Sequence, residues 1–404
     1  MKGATRRRAL LMTGVMLALA SVAPMTPASA QHGQRQCLPP PQLSVTGVPW
    51  AQQQLAPQRV WSLTRGAGQT VAVVDTGVDA GSGQLAGRVQ QGRDVRFPGA
   101  TRADSDCFGH GTFVAGIIGA APVSSTLFAG VAPDATILPI RIADNATDTS
   151  AGALAQGIRA AVDLGAKVIN VSASTNYHDP GIDAAVDFAT ERDALIVASA
   201  GNSAEDGNPV PYPASEPAVV AVGAVDNAGK RASFSQTGTY LSLAAPGVDI
   251  SSLGPGGPGQ WQASGTSYAA PFVAGVAALV RAYHPELTAA QVKHRLEATA
   301  DRPPANAPDN ALGWGVVNPL SAVTAILPEE TATVGPPAAP VPAAHPVAPV
   351  VDPIADLLVT LGVLAVVALV AGTVLATRLG PRGTRRRWAP ARQVVIADSE
   401  RTSS

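Results

Sequence analysis

Four short segments of this 404-residue chain carry residue types that could act together on an acyl group. They are Asp75-Thr76-Gly77, Gly109-His110-Gly111-Thr112, Ala198-Ser199-Ala200-Gly201-Asn202 and Ser264-Gly265-Thr266-Ser267-Tyr268-Ala269-Ala270-Pro271. A serine hydroxyl becomes a strong nucleophile when a base takes its proton, and imidazole suits that task because its pKa lies near working pH. A carboxylate behind the imidazole fixes its tautomer, and an asparagine amide can donate to the oxyanion that forms. Each segment alone has a plainer reading. Asp75 can cap a turn at a strand end, Asn202 can be a turn residue, and most serines at a helix start are N-caps. His110 fits a plain reading less well: flanked by glycines and opening an apolar run, it lacks the bulky neighbours of a packed core histidine. An aspartic protease also uses D-T-G, but its chemistry shares one proton between two carboxylates, and the chain has no second copy.

These residues need a scaffold that converges them. Residues 70–74, 136–141, 167–172, 194–198 and 218–222 are short apolar runs rich in valine and isoleucine, and residues 151–164 and 181–191 between them read as helices. Continuous apolar strands alternating with helices predict an α/β domain whose mostly parallel sheet is covered on both faces. Reactive groups in such folds collect at the carboxyl ends of the strands. Asp75 and the segment leading to Asn202 each follow a predicted strand. Ser267 is predicted to begin a long helix reaching about residue 283, with Pro271 in its first turn, so N–H groups at that helix start would favour a developing oxyanion.

In the order Asp, His, Asn, Ser, these segments resemble the subtilisin family over roughly residues 61–327, through D-T-G, G-H-G-T-x-V-A-G and G-T-S-x-A-A-P with their flanks. The order separates that family from chymotrypsin-like enzymes and from α/β-hydrolases, which would also need a G-x-S-x-G elbow before the Asp and His. The resemblance implies a serine endopeptidase working through an acyl-enzyme. Ser267 Oγ would attack the scissile carbonyl, His110 would take and return the proton, and Asp75 would hold the imidazole. Asn202 and the Ser267 N–H would form the oxyanion hole. A peptide substrate would lie extended beside Ser172, Ala173 and Ser174, with Ala200, Gly201 and Asn202 as the facing wall of the primary pocket. Relatives often carry glycines after that serine, where this chain has Ala173-Ser174-Thr175.

The finer resemblance is to the mycosins, membrane-bound subtilisin-like proteases that accompany type VII secretion systems of actinobacteria. It rests on Asp104-Ser105-Asp106-Cys107-Phe108-Gly109-His110, on Gly130-Val131-Ala132-Pro133-Asp134-Ala135, on Pro285-Glu286-Leu287-Thr288 and on Gly313-Trp314-Gly315-Val316-Val317-Asn318-Pro319. It implies a retained N-terminal extension at residues 31–60. The chain's two cysteines are expected to pair in an exported protein, Cys37 in the extension with Cys107 just before His110. Mycosins commonly carry a second disulfide near the oxyanion segment. This chain lacks those cysteines, so that loop is expected to be short or held in another way. A scaffold without turnover is the competing reading, since mycosins associate with the secretion complex; a scaffold has no physical need for all four groups.

Both ends of the chain read as non-globular. Arg6-Arg7-Arg8, the apolar residues 9–23 and Ala28-Ser29-Ala30 have the pattern of a secretory signal peptide over residues 1–30. Residues 328–353, rich in Pro, Ala and Val, predict a semi-rigid linker after the peptidase domain of residues 61–327. Residues 357–376 are uncharged and long enough to span a bilayer within a transmembrane segment at 354–377. Arg378, Arg382 and Arg385-Arg386-Arg387 in the tail of residues 378–404 put the C-terminus in the cytoplasm, leaving the catalytic domain outside the cell membrane on a single-pass anchor. A formal net charge of −1 offers no field to steer nucleic acid. No cofactor is implied, and the spacing of the other histidines suggests no metal site. The expected partners are a protein or peptide substrate, the membrane and type VII secretion components.

Overall fold

A computed structural model describes residues 37–99, 101–146, 148–303, 306–331, 364 and 366–374. The chain divides into two units, Met1–Ala332 and Thr333–Ser404. The expected signal peptide and most of the linker and tail lie outside the described residues. Of the expected membrane span, residues 364 and 366–374 are described, and they are helical. No helix among the described residues is long and apolar enough to cross a membrane.

The first unit is built on a seven-stranded sheet: β1 (Thr70–Asp75), β2 (Arg93–Asp94), β3 (Thr136–Arg141), β4 (Val168–Val171), β5 (Leu195–Ser199), β6 (Val220–Val225) and β7 (Leu243–Pro246). Their order is β2-β3-β1-β4-β5-β6-β7, and every pairing is parallel. β8 (Ile250–Leu253) and β9 (Gln260–Ala263) form a separate antiparallel pair. Because side chains alternate along a strand, both faces must be apolar when both are covered. β1 obeys this: Val71 and Val73 belong to one buried cluster, Ala72 and Val74 to the other.

Among the helices, α1 (Trp50–Leu55) lies in the N-terminal extension and is followed by α2 (His110–Gly119), α3 (Ala151–Asp163), α4 (Pro180–Glu191), α5 (Thr266–Tyr283), α6 (Ala289–Ala298), α7 (Pro319–Thr324) and α8 (Pro328–Thr331). Their starts are written in the sequence. The Ser150 side chain accepts from Ala153 N at α3, Asp179 caps α4 ahead of Pro180, and Thr288 with Gln291 makes a capping box at α6. α2 and α5 pack in the first cluster, α3 and α4 in the second, so the sheet is a filling between two helical layers.

Two details differ from the sequence expectation. α5 starts at Thr266, one residue before Ser267, and Pro271 lies inside the helix rather than in its first turn. Residues 328–331, the expected start of the linker, form α8, whose Glu330 carboxylate pairs with the Arg295 guanidinium. Arg295 is 1% exposed, and a buried guanidinium must find an acceptor wherever the chain can supply one.

The extension is tied to the domain as the cysteine reading anticipated. Cys37 and Cys107 form a disulfide closing a sequence separation of 70 residues. Leu38 N donates to Cys107 O at 3.0 Å, Gln260 N at the start of β9 donates to Leu43 O at 2.7 Å, and Trp50 Nε1 donates to Val248 O at 3.1 Å.

Candidate active site

The strand order reverses direction at β1: β2 and β3, the next two strands in the chain, lie on one side of it, and β4 continues on the other. That switch point is where an open α/β sheet forms a crevice. Asp75 is the last residue of β1, Ser172 directly follows β4, and Ser199 ends β5 on the way to Asn202.

Asp75 and His110 are in direct contact. The His110 Nδ1 lies 2.7 and 2.8 Å from the two Asp75 carboxylate oxygens, and the Thr76 N–H donates to Asp75 Oδ1 at 2.7 Å. The two side chains are buried. Burial alone would pull the imidazole pKa down, but the charge and hydrogen bond of Asp75, with Asp106 beyond it, outweigh that and hold it above its ordinary value. The G-H-G pattern has a steric cause. A Cβ at Gly111 would run into the Gly77 carbonyl oxygen, and one at Gly109, whose φ is +89°, would run into the Trp261 ring. The start of α2 can approach the turn after β1 on one side and Trp261 of β9 on the other this closely only without those side chains.

Asp106 organises the approach, and sequence reasoning gave it no role. Its carboxylate accepts four hydrogen bonds: from Thr76 Oγ1 (3.0 Å), Gly109 N (2.8 Å), Thr112 N (2.9 Å) and Thr112 Oγ1 (2.8 Å). Gly109 is the N-cap of α2 and has no side chain to cap it, so Asp106 takes the donors from three residues upstream. An acidic residue just before a glycine-opened helix was the legible signal. Burial pushes the Asp106 pKa up more than these donors pull it down.

Ser267 sits at the start of α5 and is half-buried. Its hydroxyl donates to the Ser172 carbonyl oxygen at 3.1 Å rather than to the imidazole. The next residue, Tyr268, packs its ring 5.3 Å from that of His110, which sets the helix start beside the imidazole. Burial, with the Asp75 charge nearby, pushes the Tyr268 hydroxyl up to about 12, so it stays neutral.

Asn202 is exposed, and its amide is oriented by Thr266. Asn202 Oδ1 accepts from Thr266 N at 2.8 Å and from Thr266 Oγ1 at 2.9 Å, leaving the Nδ2 end as the free donor. Gly201 N donates to Thr266 Oγ1 at 3.1 Å, so a fully buried threonine links the two walls. Ala200 is buried; Ala173 and Ser174 are half-buried beyond the end of β4. Thr175 then exchanges backbone bonds of 3.0 and 2.8 Å with Tyr212. In place of a second disulfide, the loop after Asn202 is held by reciprocal 2.9 Å bonds between Asn208 and the Thr237 backbone and by Gln236 bonding Ser203 N.

The cleft lined by Asp75, His110, Ser172 and Ala173 holds only about 10 Å³, whereas a cavity of about 600 Å³ is lined by Cys37, Thr76, Asp106, Cys107 and Arg141 among others. Elsewhere, ligand-type atoms of His178, Asp183 and Glu216 lie within 4.8 Å of one another. Positions 178, 183 and 216 do not announce that grouping in sequence, and His178 already pairs with Asp183 at 2.7 Å.

Comparison with known proteins agrees with the motif reading. Residues 66–315 match the model of the subtilase family. Mycosin-4 of Mycobacterium tuberculosis is 40% identical over 70% of this chain and 72% of its own length. Thermitase of Thermoactinomyces vulgaris is 38% identical over 63% of this chain and 90% of its own. Among solved structures, the MycP3 protease from the type VII (ESX-3) secretion system superposes with a TM-score of 0.62 at 36% identity, covering 72% of this chain and 94% of that one. MycP1 from Mycobacterium smegmatis gives 0.64 at 31% identity, covering 77% and 93%. With its parallel sheet, its buried Asp75–His110 pair and these relatives, the chain belongs to the subtilase family, as a subtilisin-like serine protease of the mycosin kind.

Proposed function

We propose that the chain hydrolyses peptide bonds through an acyl-enzyme, with Ser267 as nucleophile, His110 as general base and acid, and Asp75 as the group that orients the imidazole. The observation that carries this reading is the contact of His110 Nδ1 with both Asp75 oxygens. It assigns the Nδ1 proton to the carboxylate side and leaves Nε2 as the acceptor. Ser267 Oγ, now donating to Ser172 O, turns to Nε2 as the proton leaves. Attack builds negative charge on the carbonyl oxygen, and the Asn202 Nδ2 amide and the Ser267 N–H at the start of α5 are its donors. The imidazolium, stabilised by Asp75, then protonates the leaving amine. Water repeats the sequence to release the acid.

The substrate reading is an extended peptide laid along Ser172, Ala173 and Ser174, with its side chain between that segment and Ala200–Gly201. Strand addition uses the backbone, and β4 ends at Val171, just before this stretch. The signal-like residues 1–30, the uncharged apolar residues 357–376 and the arginines after them support a single-pass protein with its catalytic unit outside the membrane. The relative described as part of a type VII secretion system supports substrates or partners in such a system.

A fluorophosphonate probe applied to full-length protein in membranes tests the core of this proposal. The native protein should be labelled, and Ser267→Ala and His110→Ala should not. A folded native protein that resists the probe would overturn the catalytic reading and put a scaffolding role in its place.

A further inference from the structure

α5 carries a proline where the helix needs a donor. In an α-helix the N–H of residue i donates to the carbonyl of residue i−4, so residue 271 would serve the carbonyl of Ser267. Pro271 has no N–H to give. The acceptor left over belongs to the residue proposed as the nucleophile.

The vacant role is filled from the strand side. Ser172 Oγ donates to Ser267 O at 2.8 Å, and Ser172 is 3% exposed. Its single proton is committed to that bond, because Asn170 Nδ2, on a fully buried residue of β4, donates to the same Oγ at 2.8 Å. In return, Ser267 Oγ donates to Ser172 O. Ser172 and Ser267 thus exchange two hydrogen bonds, each hydroxyl giving to the other's backbone carbonyl.

We propose that the Ser172 hydroxyl is a positioning residue for the reaction: it replaces the helical donor that Pro271 removes and holds the Ser267 backbone in register for attack. The proposal rests on the reading of Ser267 as nucleophile. It gives Pro271 a purpose. With that helical bond absent, the first turn of α5 takes its position from the end of β4, where the substrate segment begins, rather than from the helix behind it. Nucleophile and peptide then share one reference, and a shift of either carries the other with it. This role belongs to the side chain of Ser172 and is separate from its backbone beside the substrate.

A double-mutant cycle tests it, using Ser172→Ala, Pro271→Ala and the pair in full-length protein, with kcat, KM and the rate of fluorophosphonate labelling as readouts. Ser172→Ala should lower kcat and the labelling rate about tenfold while KM changes less than about twofold, as expected when an acceptor loses its donor. In the Pro271→Ala background the N–H of the new alanine supplies the donor, so the same serine change should cost less than about threefold. Equal losses in both backgrounds, or no loss in the first, would overturn the proposal. If Pro271→Ala gives no cooperative melt, Ser172→Thr decides: it keeps the hydroxyl and should recover most of what alanine loses, and a threonine variant as slow as alanine overturns the idea. Failure of the native protein to label would instead strike at the role of Ser267.

Discussion

The two halves of the site are held by different forces. On the Asp75–His110 side, buried groups meet through charge-assisted bonds, and Asp106 gathers the strand end and the helix start with four more. On the Ser267–Asn202 side, a half-buried serine and an exposed asparagine are placed by neutral bonds through Thr266 and Ser172. The carboxylate charge strengthens the first set, whereas the second set, made through the buried Thr266 and Ser172, is neutral and weaker bond for bond. The imidazole is therefore fixed by its own surroundings, while Ser267 keeps one hydroxyl bond, to Ser172 O, that the proposed mechanism requires it to exchange. On the proposed reading, order is concentrated where a proton is held and relaxed where a bond must form.

The strongest way to break this comparison is Asp75→Asn. The amide cannot accept the Nδ1 proton as the carboxylate does, and kcat should fall about 10⁴-fold, a size borrowed from the same kind of change in related triads. The pH profile sharpens the test. His110 has its pKa raised, so in the native protein activity should be lost as pH falls through a value above that of ordinary imidazole, about 6.5. Asparagine removes the larger raising charge and leaves burial, which lowers the imidazole pKa, opposed only by the more distant Asp106, so the acid limb should move to lower pH. A limb that stays in place, followed by labelling rate across pH, would mean that Asp75 does not govern the base.

The neutral half should yield smaller losses. Asn202→Ala removes an amide aimed at the oxyanion and should lower kcat about 10²–10³-fold with little change in KM, the magnitude known for this donor in subtilisin. Thr266→Val leaves that amide with one of its two orienting bonds, the one from the backbone N–H of residue 266, and kcat should fall only about tenfold. It also orphans the Gly201 N–H, which should destabilise the protein by about 1–3 kcal/mol. If the threonine change costs as much turnover as the asparagine change, orientation rather than the donor itself dominates on this side. Steady-state kinetics beside thermal melts separate the two effects.

How much of this was legible in the sequence follows the range of the interactions. Thr70–Asp75 and Thr136–Arg141 read directly as strands because continuous β-branched runs leave few alternatives. The segments bearing Asp75, His110, Asn202 and Ser267 were legible because their flanks are short and strict, and Gly109 and Gly111 now have steric reasons to be glycine. Asp106 was visible only as part of a motif, since its work is to collect N–H groups whose vacancy appears once α2 begins at His110. Thr266 and Asn170 act on partners 64 and 2 residues away, and no local pattern marks either as a hydrogen-bond relay. Pro271 reads as a first-turn residue because proline is common there, and its place deeper in the helix follows from α5 starting at Thr266.

The smallest effect on turnover should come from the clasp. Cys107 lies three residues before His110, so the disulfide to Cys37 looks close enough to shape the base. Yet the hydrogen bonds that fix α2 come from Asp106, and those that fix His110 come from Asp75; Leu38, Leu43 and Trp50 bind the extension mainly to the Cys107 backbone, β9 and Val248. Replacing both cysteines by serine should therefore change kcat by less than about twofold. Stability should fall by as much as about 4 kcal/mol, since closing a loop of this length chiefly restricts the unfolded chain. The measurement is a urea melt together with kcat and an intact mass, because proteolysis of a loosened extension would mimic a loss of stability. If turnover falls with the melt while the mass is unchanged, the extension helps to hold His110, and the base half of the site is less self-sufficient than its burial implies.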